Sequence, residues 1–313
     1  MNKIEELKTE VKKVIIGKDE IIDKVLMAIL ADGHILLEDI PGVGKTTLAL
    51  AFSRALGLSY RRIQFTPDTL PSDVTGFSLY RREKDDFIYK EGAVMTNLLL
   101  ADEINRTSSK TQAALLEVME ECQVTVDGVT HILPRPFIVI ATQNPFGFAG
   151  TQLLPQSQLD RFLIRLSMGM PDMNSMIKMM EDRMIEQPLD NVEQKSSPEE
   201  ILLMQKKANE IYVSEEILNY IALLVSESHN CERLELPVSP RGALGVLKMA
   251  KACAYMQGMS YVVPEHILAV FLDVCCHRVT RTANARAEKI EAKTILQEIL
   301  DCVPIPAMVG GAS

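Results

Sequence analysis

No stretch of this sequence approaches the roughly 18–20 consecutive apolar residues that span a bilayer. The opening Met1-Asn2-Lys3-Ile4-Glu5-Glu6 has no apolar core of the kind a secretory leader needs, so a soluble cytoplasmic protein is expected. Cysteine is sparse: there are six in 313 residues and none forms a C-x-x-C pair. Buried free thiols in a reducing compartment are therefore expected, not a disulfide framework. The five histidines are scattered without metal-ligand spacing. No tract is rich in Lys and Arg, and the net charge is −9 at pH 7. That balance argues against a general nucleic-acid surface, although it is compatible with a local basic patch. Internal repeats of 20–50 residues and low-complexity runs are also missing. What remains is 47% apolar, enough for a real core and two domains.

The stretch that organises the rest is Leu36-Leu37-Glu38-Asp39-Ile40-Pro41-Gly42-Val43-Gly44-Lys45-Thr46-Thr47. An apolar strand runs into a glycine loop and then a helix start, the layout of a phosphate-binding loop. Gly42 and Gly44 permit the tight turn, beside Pro41, and bring the backbone N–H groups of Val43 and its neighbours to phosphate oxygens. The positive end of the following helix faces the same anion. Lys45 is placed for the β- and γ-phosphates of ATP, and the Thr46 hydroxyl, next to Thr47, for Mg²⁺. Asp39 stands where the strict pattern G-x-x-x-x-G-K-[ST] has its first glycine, and Pro41-Gly42 supplies the turn instead.

Ahead of the loop, Ile4, Leu7, Val11 and Val14 recur at helical spacing. Val14-Ile15-Ile16-Gly17 follows, and Ile16 and Gly17 either pack on an adenine ring or belong to the core. After the loop come a helix ending at Gly57 and a strand over 60–65. Phe77–Tyr80 and Phe87–Tyr89 read as two short strands around a charged tip. Asn97-Leu98-Leu99-Leu100-Ala101-Asp102-Glu103 reads as a strand buried on both faces, with two carboxylates at the end where ligands of open α/β sheets bind. Asp102 is the candidate metal residue and Glu103 the candidate base for the attacking water. Ser109 with Gln112 is spaced for a capping box at the next helix start, and Val124–Ile132 reads as a hairpin around Asp127-Gly128. The apolar strand over 137–141 ends in Thr142-Gln143-Asn144-Pro145, with Asn144 placed to sense the γ-phosphate or orient the water. Arg161, in Asp160-Arg161-Phe162, is a candidate arginine finger for a neighbouring site, with Arg165 a weaker second choice.

Composition shifts at Pro171 into a methionine-rich helix, and 188–197 is polar and linker-like. From Ser197-Pro198-Glu199-Glu200 onward the pattern is helical, over about 199–211, 215–228, 240–256, 264–279 and 286–301. The expected division is an α/β nucleotide-binding domain over 1–190 and an all-α domain over 191–313. Arg241, at the start of the helix opened by Ser239-Pro240, does not serve that helix, since a cation there opposes the dipole; a ligand phosphate would justify it.

In this order, the glycine loop, Asp-Glu strand, Asn-tipped strand, Asp-Arg-Phe and helical lid with Pro240-Arg241 resemble an AAA+ ATPase. Ile63–Asp68, Leu70–Gly76, Asn97–Arg106, Gln123–Gly128 and Ala141–Pro145 narrow the resemblance to the MoxR family, over about 10–290. It implies a P-loop NTPase domain with a parallel sheet of order 5-1-4-3-2, helices on both faces, and a small all-α lid. It also implies an insert at about 74–96 and a pore-flanking hairpin at about 123–136. Lys45, Thr46, Asp102 and Glu103 carry over as nucleotide, Mg²⁺ and water-activating residues. Asn144 carries over as first sensor, Arg161 as finger and Arg241 as lid sensor. The family resemblance further implies a hexameric ring and chaperone-like remodelling of protein clients with a von Willebrand factor A domain partner. A chelatase-type metal-insertion motor, a nucleic-acid translocase or a nucleotide-dependent scaffold with little turnover are the alternatives. Two departures fall near the implied subunit interface: the apolar 146–150 stretch, and Gln156-Ser157 in place of the family's Glu-Ala.

Overall fold

A computed structural model of the chain describes residues 3–83, 85–144, 154–185 and 187–306. The apolar 146–150 stretch lies outside the described residues. Contacts divide the chain into two compact units, Met1–Leu26, Asp32–Leu154 and Leu166–Leu203 in one, Met27–Ala31, Pro155–Arg165 and Met204–Ser313 in the other. The division interleaves segments, where the sequence pattern suggested one cut at 190.

The first unit opens with α1 (Lys3–Lys12), which buries Ile4, Leu7 and Val11 as their spacing predicts. Glu10 is buried beside them. It is held by Lys13 Nζ at 2.7 Å and the Glu193 N–H at 2.9 Å, the pairing a buried carboxylate needs. Then follow α2 (Asp19–Leu30), β1 (Ile35–Glu38), α3 (Lys45–Leu56), β2 (Tyr60–Gln64) and α4 (Pro71–Thr75). Next come β3 (Gly76–Arg81), β4 (Asp86–Glu91), β5 (Leu98–Asp102), a 3₁₀ turn at Ile104–Arg106, and α5 (Ser109–Glu121). The chain continues through β6 (Gln123–Val126), β7 (Val129–Ile132), β8 (Ile138–Gln143), α6 (Gln156–Leu159), β9 (Ile164–Leu166), α7 (Met173–Ile185) and α8 (Pro198–Asn209), of which α6 falls in the second unit.

The main sheet has the order β2-β5-β8-β1-β9, and β2–β5, β5–β8 and β8–β1 pair in parallel. Counted along these five strands, the order is the 5-1-4-3-2 that the family resemblance implied. Every residue of β5 and β8 is buried, which is why both read as unbroken apolar runs. Their registers place the ends of β2, β5 and β8 level, with Gln64 opposite Asp102 and Ala101 opposite Ala141.

Two ribbons stand apart from this sheet. β3 and β4 pair over their whole length, from Gly76 opposite Glu91 to Arg81 opposite Asp86. β6 and β7 close through Asp127 and Gly128, both at positive φ (50° and 79°), as a two-residue primed turn requires. The Tyr89 ring stacks on His131 with centroids 3.8 Å apart and so joins the ribbons. At α5 the cap is Ser108, which accepts from Thr111 N, one residue earlier than the pattern suggested. Gln112 instead donates to the carbonyls of Ile104 and Thr107, tying the helix start to the turn before it.

The second unit contains α9 (Glu215–Asn230), β10 (Leu234–Leu236), α10 (Pro240–Met256), α11 (Pro264–Cys275), β11 (Thr280–Arg281), α12 (Ala283–Ala287) and α13 (Ala292–Cys302). It is helical apart from the short β10–β11 pair. The predicted helix over 286–301 is divided, because Lys289 adopts φ 58° and Arg281 donates to the Ile290 carbonyl across the break. Phe162 and Phe271 are fully buried here, each contributing about 1.5–3 kcal/mol of apolar burial. All six cysteines are free, and among the described residues no helix is long and apolar enough to cross a membrane.

Candidate functional site

The phosphate-loop sequence forms the turn between β1 and α3. Gly42 and Gly44 take φ of 88° and 97°, and α3 begins at Lys45. A Cβ at Gly42 would meet no neighbour within 4 Å among the described residues, so conformation and not room demands glycine there. Lys45 is buried, and its Nζ donates to the carbonyls of Asp39 at 2.7 Å and Ile40 at 3.4 Å. Burial pushes the Lys45 pKa down, while the charges of Asp39, Asp102 and Glu103 oppose the shift.

Asp39, the departure from the strict loop pattern, has a structural reason. Its carboxylate accepts from the N–H groups of Met168 and Gly169 and from the Ser167 hydroxyl at 2.8 Å. The start of the loop is thereby tied to the segment that follows β9.

At the end of β5, Asp102 Oδ1 accepts from Thr142 Oγ1 at 2.6 Å and Oδ2 from Arg62 Nη2 at 2.6 Å. Glu103 sits in the left-handed region with φ 56° and ψ 49°. A non-glycine residue there costs on the order of 1–3 kcal/mol, and such strain clusters at functional sites. Its N–H donates to Thr142 Oγ1 at 2.9 Å, so one hydroxyl organises both acidic residues. The Glu103 carboxylate accepts from Arg106 Nη1 at 2.8 Å, Gln64 Nε2 at 3.0 Å and Asn144 Nδ2 at 3.3 Å. Asn105, itself buried, donates to the Asn144 carbonyl at 3.3 Å and holds that strand tip.

These side chains face a cleft of about 580 Å³. Its floor is the loop from Pro41 to Thr47, with Asp102, Glu103 and Asn144; Val14, Ile15 and Ile16 give it an apolar wall. Methionines after β9 and in α7 add adaptable apolar surface. Gly17 plays a different part. With φ 69°, a Cβ on it would stand 2.1 Å from Ser175 Oγ, so close packing against that serine explains the glycine.

Thus the first unit gathers Lys45, Thr46, Asp102, Glu103 and Asn144 around one cleft. The sequence reading missed Arg62, Gln64, Thr142, Arg106 and Asn105. The available signal was polar residues alternating at the C-terminal end of β2 and others two or three positions from Glu103 and Asn144. Arg161, Arg165 and Arg241 belong to the second unit. There Asp160 accepts from Arg278 Nε at 2.7 Å and from Ser239 Oγ at 3.3 Å. Arg278 also donates to the carbonyls of Phe162 and Leu163, while Ser239 caps α10 by accepting from Gly242 N at 3.1 Å. The segment carrying Arg161 and the helix start carrying Arg241 are therefore fastened to one another.

A buried ammonium at a helix start, a hydroxyl at Thr46 and two carboxylates form a donor set suited to a nucleoside triphosphate with a hard divalent cation. The comparisons agree. Residues 34–164 match the ATPase family associated with various cellular activities (AAA), and residues 226–299 match an AAA lid domain. The chain is 42% identical to the uncharacterized protein YeaC of Bacillus subtilis, over 95% of this chain and 92% of that one. It is 36% identical to chaperone MoxR1 of Mycobacterium tuberculosis, over 95% of this chain and 81% of that one. A crystal structure of a presumed ATPase from Cytophaga hutchinsonii superposes with a TM-score of 0.91 at 36% identity, covering 98% of this chain and 96% of that one. With the sheet order, the lid and these relatives in agreement, the chain belongs to the MoxR family of AAA+ ATPases.

Proposed function

We propose that this protein hydrolyses ATP with Mg²⁺ in a ring of its own copies, most simply a hexamer. The cycle would remodel protein clients in the cytoplasm together with a protein carrying a von Willebrand factor A domain. The observation that carries the hydrolytic part is the Glu103 carboxylate, held at the end of β5 beside Asp102 and 3.3 Å from Asn144 Nδ2, in the same cleft as Lys45. The remodelling part is supported by the relative named chaperone MoxR1. It is also supported by the exposed apolar side chains Phe77, Leu79 and Phe87 on one ribbon and Val129 and Ile132 on the other.

In this reading the loop N–H groups and Lys45 hold the phosphates, and Thr46 and Asp102 hold the metal. The bound cation would neutralise charge on the phosphate oxygens. Glu103 orients the attacking water and draws its proton, with Asn144 fixing the carboxylate. Val14, Ile15 and Ile16 provide apolar contact for a base. Arg161 completes a neighbouring subunit's site, and Arg241 reads the nucleotide from the lid.

The deciding measurement is the ATPase rate per subunit against protein concentration, with Mg²⁺ present. A rate that climbs and saturates is expected for a site completed between subunits. Glu103→Gln is expected to lower turnover at least about 100-fold while leaving ATP binding intact. Normal hydrolysis by that variant would falsify the catalytic assignment.

A further inference from the structure

Arg62 has no part in the roles above, yet it faces the same cleft. It stands two residues before Gln64 on β2, so both side chains leave the same face of the strand. Arg62 Nη2 lies 2.6 Å from Asp102 Oδ2 and 2.6 Å from Gln64 Oε1. Gln64 Nε2 in turn reaches Glu103 Oε2 at 3.0 Å. A continuous chain of hydrogen bonds therefore runs from Asp102 through two β2 side chains to Glu103. Thr142 occupies the other Asp102 oxygen, so both oxygens are engaged and one faces a full positive charge.

The two partners differ in exposure. The Asp102 side chain is 12% exposed and sits in the central sheet, whereas the Arg62 side chain is 44% exposed and sits on an edge strand. Arg62 can swing into water at little cost; Asp102 cannot. A divalent cation at Asp102 would meet Arg62 and Lys45 at close range, and like charges in a shielded cleft repel strongly.

We propose that Arg62 is a place-holding cation. It neutralises Asp102 until a divalent cation arrives with nucleotide, withdraws to solvent when the metal binds, and thereby sets the metal affinity of the loaded site. Its departure also strips Gln64 Oε1 of its donor and loosens the Gln64 hold on Glu103. The inference rests on the reading of Asp102 as the metal carboxylate.

The test is Mn²⁺ binding to the full chain at saturating ADP, followed by the electron paramagnetic resonance of free Mn²⁺. Arg62→Met is expected to tighten Mn²⁺ by about fivefold, the scale of one partly exposed ion pair. Arg62→Lys, which keeps the charge, should stay near the natural protein. ADP affinity in EDTA should not tighten in Arg62→Met, since removing a cation cannot help a bare anion, and should stay near the natural protein in Arg62→Lys. A merely structural Arg62 would weaken both ligands together when replaced by Met. Unchanged or weaker Mn²⁺ binding by Arg62→Met, with its thermal melt intact, overturns the proposal. Arg62→Gln is read in the same way if the Met variant melts early. Asp102→Asn binding Mn²⁺ as well as the natural protein would sink the metal reading itself, whatever Arg62 does.

Discussion

Asp39 shows what a carboxylate does where a phosphate loop ordinarily opens with glycine. It accepts from two backbone N–H groups and one hydroxyl of residues 167–169, while its own carbonyl accepts from Lys45 Nζ. Hydrogen bonds to a charged acceptor contribute about 1.5–3 kcal/mol each at most, and their loss leaves buried donors unsatisfied. Asp39→Ala is therefore expected to destabilise the protein by about 2–4 kcal/mol and to weaken nucleotide binding. Urea unfolding and nucleotide titration check the two effects separately; an unchanged midpoint would contradict the tether. At this scale the sequence was informative where roles depend on contiguous residues. Gly42, Gly44, Lys45 and Thr46 lie in one turn, and Asp102 and Glu103 end one strand. It was silent on Arg62, Gln64 and Thr142, because their roles come from register between β2, β5 and β8. Nothing in the local pattern around Arg62 says that Asp102, forty residues on, will lie 2.6 Å away.

Among the elements, α10 and the α6–β9 segment are joined through Asp160. Ser239 is both the N-cap of α10 and a donor to that carboxylate, so Ser239→Ala should cost about 1–2 kcal/mol, the upper range for a lost cap. Arg278 is almost wholly buried, with burial lowering its pKa and Asp160 holding the charge in place. Removing it as Arg278→Met leaves Asp160 with Ser239 alone and strips the Leu163 and Val274 carbonyls of this donor, with an expected loss of about 3–5 kcal/mol. If Arg161 acts in a neighbouring site, Arg161→Ala should lower turnover by about 10³-fold or more and leave ATP binding in place. A variant that loses binding to the same extent would show the arginine to be structural. The ribbons behave oppositely: Phe87 and Ile132 are 67% and 75% exposed. Phe87→Ser and Ile132→Ser should each change stability by less than about 0.5 kcal/mol in denaturant melts, so any loss of client handling would be a surface effect.

For the molecule as a whole, His277 gives a pH signature. Burial, and then the neighbouring Arg278 charge, hold its pKa well below the ordinary value, and its Nε2 shares a 2.9 Å hydrogen bond with the Phe162 carbonyl. The unfolded chain takes up a proton near pH 6.5 while the folded one does not, so unfolding gains protons as pH falls. Stability is accordingly full above about pH 7. It declines by up to about 1.4 kcal/mol per unit below about pH 6.5, down to the depressed folded value. His266, also lowered by burial, acts in the same direction. Urea unfolding at pH 7.5, 6.5 and 5.5 checks this, and a flat profile across that range would contradict the buried, neutral His277.

The sequence alone determined the α/β architecture with a helical second part, the phosphate loop, both acidic residues and the Asn-tipped strand. Apolar runs and glycine positions are local consequences of burial on both faces of a sheet and of positive φ, so they survive in one dimension. Tertiary structure alone decided what stands beside each of those residues. Asp39 reaches across to residues 167–169, Arg62 and Gln64 bridge Asp102 to Glu103, and Asp160 fastens the Arg161 segment to Arg278 and, through Ser239, to α10. It also decided that Gly17 answers to Ser175 and that the last helical stretch divides at Lys289. The physical reason is the same throughout. Parallel strands are brought into register by crossovers of tens of residues, and a side chain's electrostatic partner is set by that register and not by its neighbours along the chain.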